Sequence, residues 1–459
     1  MINKSRMQII LPEKVQFIID ELVKAGYEAY AVGGCVRDSV LGRIPEDWDI
    51  TTSAKPLQIK KVFRRTIDTG IQHGTVTVML GNDGFEVTTY RIDGLYEDNR
   101  HPKDVTFTDN LAEDLKRRDF TINAMAYSER TGIIDEFGGL DCIESKTIKA
   151  VGNAKERLTE DALRILRAIR FSAQLDYDID DETKEAIVEL SPNLKNISAE
   201  RICTETVKLL KSDHPDKLRD AYNLGITGVI LPELDEMMVT GQNTEHHMYS
   251  VGEHTLHALI NVNKEKNRFT DRENKILKLT MLFHDMGKPS CRTVDEKTGK
   301  DHFKGHAAVS VEKSVSVMKR LKLDNDTINN VKKLVEYHDY RPRLTMPNVR
   351  RAIVKIGPER MKMLFAVKRA DTMAQSEYLR EDKLAYIKEF EEKFNQVIED
   401  GDCISLKQLA VGGSDLIEAG MEAGPKLGEI LNVLFEHVLD VPKHNTKEFL
   451  LDYCKGIIL

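Results

Sequence analysis

The stretch YAVGGCVRDSVLGRIPEDWDITTSA, residues 30–54, decides the fold of the N-terminal part of this chain. Its pattern predicts the end of an apolar strand, a turn at Gly33 and Gly34, a short helix and, after a break at Gly42 and Pro45, a second strand. Glycine has no Cβ, so a glycine pair lets the backbone approach a phosphate where free N–H groups favour an anion. The stretch therefore predicts a phosphate-binding turn between two strands of one sheet.

The second strand of this stretch carries two carboxylates, Asp47 and Asp49. Side chains alternate along a strand, so both are expected on one face, where they repel each other unless a cation lies between them. Hard oxygen ligands suit Mg²⁺ carried on the phosphates of a nucleotide. A glycine pair or an acidic pair alone is also typical of a polar strand edge, but the two in this order indicate a nucleotidyl-transfer site. Asp47 and Asp49 are its predicted catalytic residues and Mg²⁺ ligands.

The stretch resembles the head domain of the DNA polymerase beta nucleotidyltransferase superfamily. The letters VGGCVRD and DWDITT resemble more closely still the bacterial class II tRNA nucleotidyltransferases and their poly(A) polymerase relatives. RRDFTINAMA, residues 117–126, matches a motif of that family letter for letter. In the family, the Arg and Asp of this motif lie at the triphosphate and ribose of the nucleotide. The resemblance therefore implies five nucleotide contacts in the head: Gly33, Gly34, Arg37, Arg118 and Asp119.

The pattern turns helical from about residue 151. LTEDALRILRAIRFSAQL, residues 158–175, predicts one amphipathic helix with Arg164, Arg167 and Arg170 in a row. Ordinary helix chemistry explains these residue types adequately, because Glu160 can pair with Arg164 four residues later. That interpretation is compatible with a role in nucleotide binding.

The functional interpretation of this helix starts from hydrogen-bond patterns. Asp161 and Arg164 are one helical turn apart and would share a face, with an acceptor beside a donor. Cytosine and adenine offer an amino group beside a ring nitrogen that accepts, whereas uracil and guanine offer a carbonyl beside an N–H. The pair therefore favours C and A by ~1–3 kcal/mol per group left unpaired. EDALR resembles the EDxxR motif of the family, which implies a protein template for CTP and ATP, with Arg167 and Arg170 as further nucleotide-binding residues.

A second group of ligand-type residues lies on separate helical segments between residues 241 and 375: His247, His254, His284, Asp285, His306, His338 and Asp371. A single histidine on a helix is usually structural, but a set of this size indicates a metal site. HDMGKP, with HT upstream and AD downstream, resembles the HD metal-dependent phosphohydrolase domain. The resemblance implies a divalent metal of unidentified kind, held by His254, His284, Asp285 and Asp371. It leaves open a second metal at His306 and His338, and it implies a phosphate contact at Lys288.

The composition is that of a globular protein, with 31% charged and 41% hydrophobic residues. Six scattered cysteines without a CxxC pair argue for the reducing cytoplasm and against a zinc ribbon or a disulfide framework. The sequence has no apolar run long enough to span a bilayer, so no membrane partner is expected. Because the formal net charge is −8, any contact with tRNA must use a local basic face.

These patterns predict an α+β fold in four parts. A small mixed-sheet nucleotidyltransferase head of the DNA polymerase beta type is expected at residues 1–150. An all-α neck that binds RNA follows at 151–240, an HD domain at 241–375 and a helical tail at 376–459.

Two features of the head remain open on the sequence. Asn82-Asp83-Gly84 between two alternating runs predicts a hairpin. Glu86 on its second run is either a third carboxylate beside Asp47 and Asp49 or an ordinary exposed strand residue. Residues 92–110 are polar and aperiodic, and they predict a mobile loop.

The predicted function is template-independent addition of the 3′-terminal CCA to tRNA from CTP and ATP, with release of diphosphate and no inferred protein partner. The nearest alternatives are a CC-adding enzyme, an A-adding enzyme and a poly(A) polymerase. The resemblance implies that CC-only enzymes lack the loop RIDGLYEDNRHPKDV, residues 91–105, which is intact here. A regulatory nucleotidyltransferase–HD protein should carry sensor domains after the HD part, and an inactive tRNA-binding module would not need Asp47 and Asp49. Whether the HD domain works as a phosphatase or phosphodiesterase stays open on the sequence alone.

Overall fold

The computed structural model describes residues 8–94 and 105–458. The chain divides into two compact units, Met1–Pro232 and Glu233–Leu459. The first unit holds a seven-stranded mixed sheet with helices, and the described part of the second unit is helical apart from one short hairpin. The predicted α+β fold, with a mixed-sheet head and a helical C-terminal part, is confirmed.

The strands of the described residues are, in chain order, β1 Ala29–Val32, β2 Ile50–Thr52, β3 Thr66–Gly70, β4 Thr75–Leu80, β5 Asp83–Thr89, β6 Arg91–Asp93, β7 Val105–Phe107, β8 Ala126–Ser128, β9 Gly132–Ile134, β10 Thr147–Ile148, β11 Asp178–Ile179, β12 Thr293–Val294 and β13 Asp301–His302. The helices are α1 Glu13–Lys24, α2 Gly34–Val40, α3 Pro56–Val62, α4 Leu111–Lys116, α5 Gly139–Glu144, α6 Ala154–Glu160, α7 Leu163–Leu175, α8 Asp181–Leu190, α9 Ala199–Leu210, α10 Leu218–Asn223, α11 Thr227–Ile230, α12 Pro232–Val239, α13 Val251–Asn263, α14 Asp271–Phe283, α15 Lys288–Cys291, α16 His306–Arg320, α17 Asn325–Tyr337, α18 Met346–Ile356, α19 Pro358–Ala374, α20 Arg380–Glu399, α21 Gly413–Glu418, α22 Pro425–Asp440 and α23 Lys447–Ile458.

The main sheet has the strand order β3–β4–β5–β2–β1–β8–β9. β2 and β5 run parallel, with Ile50 opposite Val87, and the other neighbouring pairs are antiparallel. Helix α1 packs on β1 and β2 through a buried stripe consisting of Val15, Ile18, Ile19 and Leu22. This stripe recurs at helical spacing, which gives the helix one apolar face.

The predicted hairpin is β4–β5. Leu80 pairs with Asp83, so the two-residue turn lies at Gly81 and Asn82, slightly earlier than predicted. Gly81 has a φ of +69°, a conformation that glycine adopts without strain.

The acidic pair lies outside the strand that was predicted to carry it. β2 begins at Ile50, and residues 47–49 form an irregular extended segment before it. The Asp49 carbonyl still accepts a hydrogen bond from Val32 N–H at 3.0 Å, so this segment is tied to the end of β1. The backbone therefore places Asp49 beside the glycine turn, although the argument from strand alternation was wrong.

The predicted single neck helix is two helices. α6 ends at Glu160, α7 begins at Leu163, and Asp161 between them has extended backbone angles of φ −137° and ψ 104°. Asp161 Oδ1 accepts a hydrogen bond from Leu163 N–H at 3.0 Å, a local side-chain contact that competes with a continuous helix. The expectation that Asp161 and Arg164 share a helical face was therefore wrong.

The second unit is built around buried helices, with α13 and α14 packed against α19. At its C-terminal end α22 packs an apolar face into a separate cluster. Leu434 and Phe435 of that face are buried, and Leu427, Ile430 and Leu431 pack against them. Among the described residues, no helix is both long and apolar enough to cross a membrane.

Candidate functional site

A cavity of about 450 Å³ in the first unit gathers the predicted head and neck residues except Asp47, which is exposed and does not line it. Its lining is Gly33, Gly34, Arg37, Asp49, Arg117, Arg118, Asp119, Asn123, Asp161, Leu163, Arg164, Arg167, Arg170, Phe171 and Arg201. Seven arginines and three aspartates leave an excess of four positive charges, in a chain whose formal net charge is −8. This is the local basic face that binding of a polyanion requires.

The glycine turn forms one wall of the cavity. Gly33 has a φ of +84°, and a Cβ at this position would lie 2.8 Å from Arg118 Nη1. Its N–H donates to the Met125 carbonyl at 3.1 Å, which ties the turn to the segment before β8. The positive φ favours glycine at residue 33, and a Cβ there would also have to displace the guanidinium end of Arg118.

Phe171 holds a set of arginines in place. The guanidinium carbons of Arg37, Arg167 and Arg170 lie 5.1, 5.3 and 4.0 Å from the centre of its ring. Arg37 Nη1 also donates to Asn123 Oδ1 at 2.7 Å. Cation–π contacts and fixed hydrogen bonds keep these like charges together before an anion arrives.

Asp119 anchors the same wall. Arg167 Nε and Nη2 lie 2.7 and 2.6 Å from Asp119 Oδ2, and Asn123 Nδ2 donates to Oδ1 at 3.2 Å. Burial would raise the pKa of Asp119, but the guanidinium groups of Arg167 and Arg164 outweigh it, so this pKa is lowered. Asp119 is therefore an ionised acceptor between two arginines.

The two predicted base-selecting residues line this cavity with separate partners. Asp161 accepts from Arg201 Nη2 at 2.8 Å. Arg164 Nη1 donates to Glu160 Oε2 at 2.6 Å, which confirms the predicted pair four residues apart, and Nη2 donates to the Arg117 carbonyl at 3.0 Å. An acceptor and a donor thus face one space, each held by a neighbour.

Three carboxylates, Asp47, Asp49 and Glu86, interact electrostatically beside this cavity, although among the described residues they do not form a group whose ligand atoms all lie within 4.8 Å of one another. Asp49 and Glu86 directly precede Ile50 and Val87, which are opposite each other in the parallel β2–β5 pair. The pKa of Glu86 is raised by burial and then by the charges of Asp49 and Asp47. The pKa of Asp49 is likewise raised by burial and by Asp47, against the attraction of Arg118. Mutually repelling carboxylates are a donor set that fits a hard divalent cation.

Comparison with known proteins decides the family. The model of the "Poly A polymerase head domain" matches residues 29–149. "Probable RNA and SrmB- binding site of polymerase A" matches 176–238, and tRNA nucleotidyltransferase domain 2 matches 306–454. The CCA-adding enzyme of Streptococcus suis (strain 05ZYH33) is 34% identical over 448 residues, which cover 96% of each chain. This chain belongs to the family of CCA-adding enzymes.

Solved structures of CCA-adding enzymes share the fold. The crystal structure of the Bacillus stearothermophilus CCA-adding enzyme in complex with CTP has a TM-score of 0.73 at 28% identity, covering 97% of this chain and 98% of that chain. The Thermotoga maritima CCA-adding enzyme complexed with tRNA has a TM-score of 0.58 at 20% identity, covering 98% and 97%. At that lower identity, the second match shows the fold alone.

This member of the CCA-adding enzymes also has a histidine centre in its second unit. Two groups of side chains could each hold a metal ion, and Asp285 belongs to both. The groups are His254, His284 and Asp285, and Asp285, His306 and His338. The predicted ligands are thus brought together in space from helices α13, α16 and α19 and from the residues that follow α14 and α17.

Hydrogen bonds fix the orientation of these four imidazole rings. The Nδ1 atoms of His254, His284, His306 and His338 face the backbone carbonyls of Ala374, Met281, Phe303 and Val335 at 3.3, 2.8, 2.9 and 2.7 Å. A ring nitrogen that faces a carbonyl carries the proton, so in the neutral ring Nε2 is a bare acceptor. Nε2 atoms then meet each other, at 3.3 Å between His254 and His284 and 3.2 Å between His306 and His338. Such acceptor pairs fit a metal ion.

Carboxylates complete both histidine pairs. Asp371 Oδ1 is 2.9 Å from His254 Nε2, and Asp285 Oδ2 is 3.3 Å from His284 Nε2. On the other side, Asp285 Oδ1 is 3.4 Å from His306 Nε2. Asp339 Oδ2 is 3.1 Å from the same nitrogen. Asp285 therefore offers one oxygen to each pair, the arrangement of a bridging ligand.

Two other predicted residues border the centre. Lys288 Nζ lies 2.7 Å from Asp285 Oδ2, and its expected contact with phosphate stays a prediction. His247 is outside both three-residue groups, with its ring 5.1 Å from that of His254. Burial is the first cause that lowers its pKa to about 3, so the ring is neutral.

Sequence reasoning missed several residues of both sites. Asn123 and Arg201 line the nucleotide cavity without having been singled out, although Asn123 lies in the motif-bearing stretch 117–126. The sequence pattern places Phe171 on a helix and gives no sign of its contacts with the arginines. Asp339 had a signal, since it forms a second His–Asp dipeptide with His338.

Proposed function

We propose that this chain adds the 3′-terminal CCA to tRNA, using CTP and ATP and releasing diphosphate. The observation that carries the proposal is the arginine-rich cavity in which Asp49, Asp119, Asp161 and Arg164 come together. Membership of the CCA-adding enzymes supports it. So does the CTP bound by the Bacillus stearothermophilus relative, which is 28% identical.

Different walls of the cavity would bind different parts of the nucleotide. Gly33, Gly34 and Arg37 face the phosphates, and Arg118 beside the glycine turn neutralises the triphosphate. Asp119 accepts from the ribose while Arg167 holds it in place. Orientation of the α-phosphate toward the RNA 3′ hydroxyl follows from these fixed contacts.

Asp47 and Asp49 would hold Mg²⁺, with Glu86 as the third carboxylate of the set. The mutual repulsion among the three groups supports this assignment. When bound, Mg²⁺ lowers the pKa of the attacking hydroxyl and neutralises developing phosphate charge.

Base selection belongs to Asp161 and Arg164. The carboxylate accepts from the exocyclic amine of C or A, and the guanidinium donates to the ring nitrogen beside it. Arg167 and Arg170 supply positive charge around the bound nucleotide. Uracil and guanine would leave both protein groups unpaired.

Incubation with a tRNA transcript that lacks CCA tests the proposal. We expect two added residues with CTP alone, three with CTP and ATP together, and none with UTP or GTP. A product that stops at two residues with both nucleotides would identify a CC-adding enzyme. A long A tail would identify a poly(A) polymerase, and addition only to tRNA ending in CC would identify an A-adding enzyme.

The loop that separates full from CC-only addition is only partly described. Its ends form the antiparallel pair β6–β7, with Arg91 opposite Phe107 and Asp93 opposite Val105. Residues 95–104, which include most of the predicted mobile loop, lie outside the described residues. The paired base supports an intact loop and hence full CCA addition.

We also propose a second activity, metal-dependent hydrolysis of phosphate esters by the histidine centre, within an HD domain at 241–375. The bridging position of Asp285 between two histidine pairs favours it. A bound divalent metal would supply a water of lowered pKa. Hydrolysis of p-nitrophenyl phosphate or a 2′,3′-cyclic nucleotide that is lost with EDTA and in His284→Ala would support this activity. No hydrolysis by the metal-loaded chain would reject it.

We infer the remaining organisation from the same observations. The head at 1–150 and the RNA-binding neck at 151–240 are supported by the matches at 29–149 and 176–238. The helical tail at 376–459 contains the separate apolar cluster around α22. All six cysteines are free thiols, which supports a reducing compartment such as the cytoplasm.

A further inference from the structure

A second cavity, of about 410 Å³, lies beside the histidine centre and shares His338 and Asp371 with it. The rest of its lining combines cations with apolar side chains, notably Arg341, Lys368, Lys383, Leu379, Tyr386 and Ile387. A cavity of this size next to a candidate metal centre suits a small organic molecule.

The three cations are held to different degrees. Lys368 is 4% exposed, and its Nζ donates to two backbone carbonyls at 2.7 and 2.8 Å. Lys383 Nζ donates to Gln375 Oε1 at 2.7 Å. Arg341 is exposed, and none of the described residues accepts a hydrogen bond from it. Its guanidinium is thus available to a ligand.

The lining has three cationic side chains and two carboxylates, which leaves an excess of one positive charge. Asp371 is turned toward the histidine centre and also accepts from Gln375 Nε2 at 3.1 Å. Asp382 is the other carboxylate of the lining. Burial and then Arg341 lower the pKa of Lys383, as expected for two neighbouring cations.

The apolar wall is rigid. Tyr386 Oη donates to the Pro342 carbonyl at 2.6 Å, which fixes the ring, and Ile387 beside it is 4% exposed. A fixed aromatic ring next to aliphatic side chains offers a surface for the sugar or base of a nucleotide.

We propose that this cavity is the substrate pocket of the histidine centre and selects organic phosphates that carry a second anionic group. One phosphate lies at the histidine centre, the organic part lies on Tyr386, and the second anion binds Arg341 and Lys383. Nucleoside bisphosphates have this chemistry, and so does an RNA end whose terminal phosphate follows a phosphodiester. The proposal rests on the phosphohydrolase activity proposed above.

The reaction is hydrolysis and needs no co-reactant besides water. A water oxygen bonds to phosphorus, the ester P–O bond breaks, and the leaving oxygen takes up a proton. Inorganic phosphate and an alcohol are released, and the second anionic group is unchanged.

Binding to the full-length, EDTA-treated chain tests the pocket without any activity. Titration calorimetry would compare adenosine 3′,5′-bisphosphate with adenosine 3′-monophosphate in Arg341→Ala and in the matched control Arg343→Ala. Arg343 is an exposed arginine two residues away that does not line the cavity. We expect Arg341→Ala to lower bisphosphate affinity about tenfold relative to the control, and monophosphate affinity less than twofold. Binding at the head cavity is common to both variants and cancels. Equal bisphosphate affinities in the two variants would overturn the proposal.

Kinetics with metal-loaded chain separate this proposal from the one it rests on. Arg343→Ala should hydrolyse p-nitrophenyl phosphate like wild type and keep the kcat/KM preference for bisphosphate over monophosphate, and Arg341→Ala should lose that preference. If p-nitrophenyl phosphate is hydrolysed but that preference survives in Arg341→Ala, the pocket assignment fails and the phosphohydrolase activity stands. If no ester is hydrolysed while the binding difference remains, the phosphohydrolase activity fails and the cavity is an anion pocket only. A trinucleotide ending in a 3′-phosphate, used as a third substrate, distinguishes an RNA end from a free nucleotide as the source.

Discussion

Arg201 holds the carboxylate of Asp161 with both terminal guanidinium nitrogens, at 2.8 Å to Oδ2 and 3.4 Å to Oδ1. Asp161 lies in the break between α6 and α7, and Arg201 lies on α9, so the contact joins segments 40 residues apart. The carboxylate is therefore oriented before a nucleotide enters. In the proposed site, Arg201 would therefore position the base-selecting carboxylate without contacting the base itself.

Replacing Arg201 should loosen base selection. In Arg201→Ala the Asp161 carboxylate loses its holder, and we expect the kcat/KM ratio of CTP over UTP to fall about tenfold, the loss of roughly one charged hydrogen bond. Arg201→Lys keeps one donor and should restore part of the ratio. A lower Tm with an unchanged ratio in both variants would mean that Arg201 only ties α9 to the helix break.

Asp161→Ala and Arg164→Ala should relax selection directly. Each removes one half of the acceptor–donor pattern, so the preference for CTP over UTP should narrow by about 1–3 kcal/mol, or ten- to a hundredfold. Measuring kcat/KM for all four nucleotides checks this, with Tm measured in parallel because Arg164 also bonds Glu160. A lower Tm with unchanged kcat/KM ratios among the four nucleotides would reject the protein-template hypothesis.

The carboxylates Asp47, Asp49 and Glu86 should contribute to the chemistry of nucleotide addition and not to RNA binding. Asp47→Asn and Asp49→Asn should each bring CCA addition below detection while tRNA affinity stays within about twofold, because in the proposed site these groups bind metal and not RNA. Glu86→Gln should lower the rate by less. Wild-type addition in either aspartate variant would remove the metal assignment, and wild-type addition in Glu86→Gln would make Glu86 an ordinary exposed residue.

Local chemistry explains which parts of the nucleotide site were predictable. The glycine turn and the carboxylates lie within one short stretch, and backbone rules place them near each other. The prediction that Asp161 and Arg164 share a helical face was wrong, because the hydrogen bond from Leu163 N–H to Asp161 Oδ1 interrupts the helix. The partner of Asp161 lies on another helix, and no local pattern carries that pairing.

The histidine centre shows the same limit of prediction from sequence, because its contacts also depend on how the helices pack. The residue types and the HDMGKP string were enough to predict which histidines and aspartates come together here, and their role as metal ligands stays a prediction. The sharing of Asp285 between two histidine pairs depends on helix packing, which the sequence does not state. Asp339 was missed because a carboxylate beside a histidine is common on any helix.

Cys35 provides a pH-dependent check on the core beneath the glycine turn. Burial raises its pKa to about 11, so the thiol stays protonated at pH 8. We expect iodoacetamide to label the half-buried Cys291 before Cys35 in native protein, as read by peptide mass spectrometry. A raised folded pKa also means that the thiol stabilises the fold fully below pH 9 and less as pH rises toward 11. Any Tm advantage of wild type over Cys35→Ala should therefore shrink across that range. Rapid native labelling of Cys35 at pH 8 would contradict the prediction.

The histidine centre should bind two metal ions per chain, joined through Asp285. After loading with Mn²⁺ and removal of free metal, inductively coupled plasma mass spectrometry should give about two Mn²⁺ ions per wild-type chain. His254→Ala and His306→Ala should each leave about one, because each removes a ligand of only one group. Asp339→Ala should also leave about one, since its carboxylate faces His306. Asp285→Ala should leave none, because both groups lose an oxygen at once.

His302→Ala is the matched control, an exposed histidine outside both groups, and should keep two. Bound metal should also raise Tm, since a ligand that binds only the folded state stabilises it by mass action, and EDTA should reverse the rise. Retention of one tightly bound ion in Asp285→Ala would show that the two groups are independent sites rather than one bridged centre.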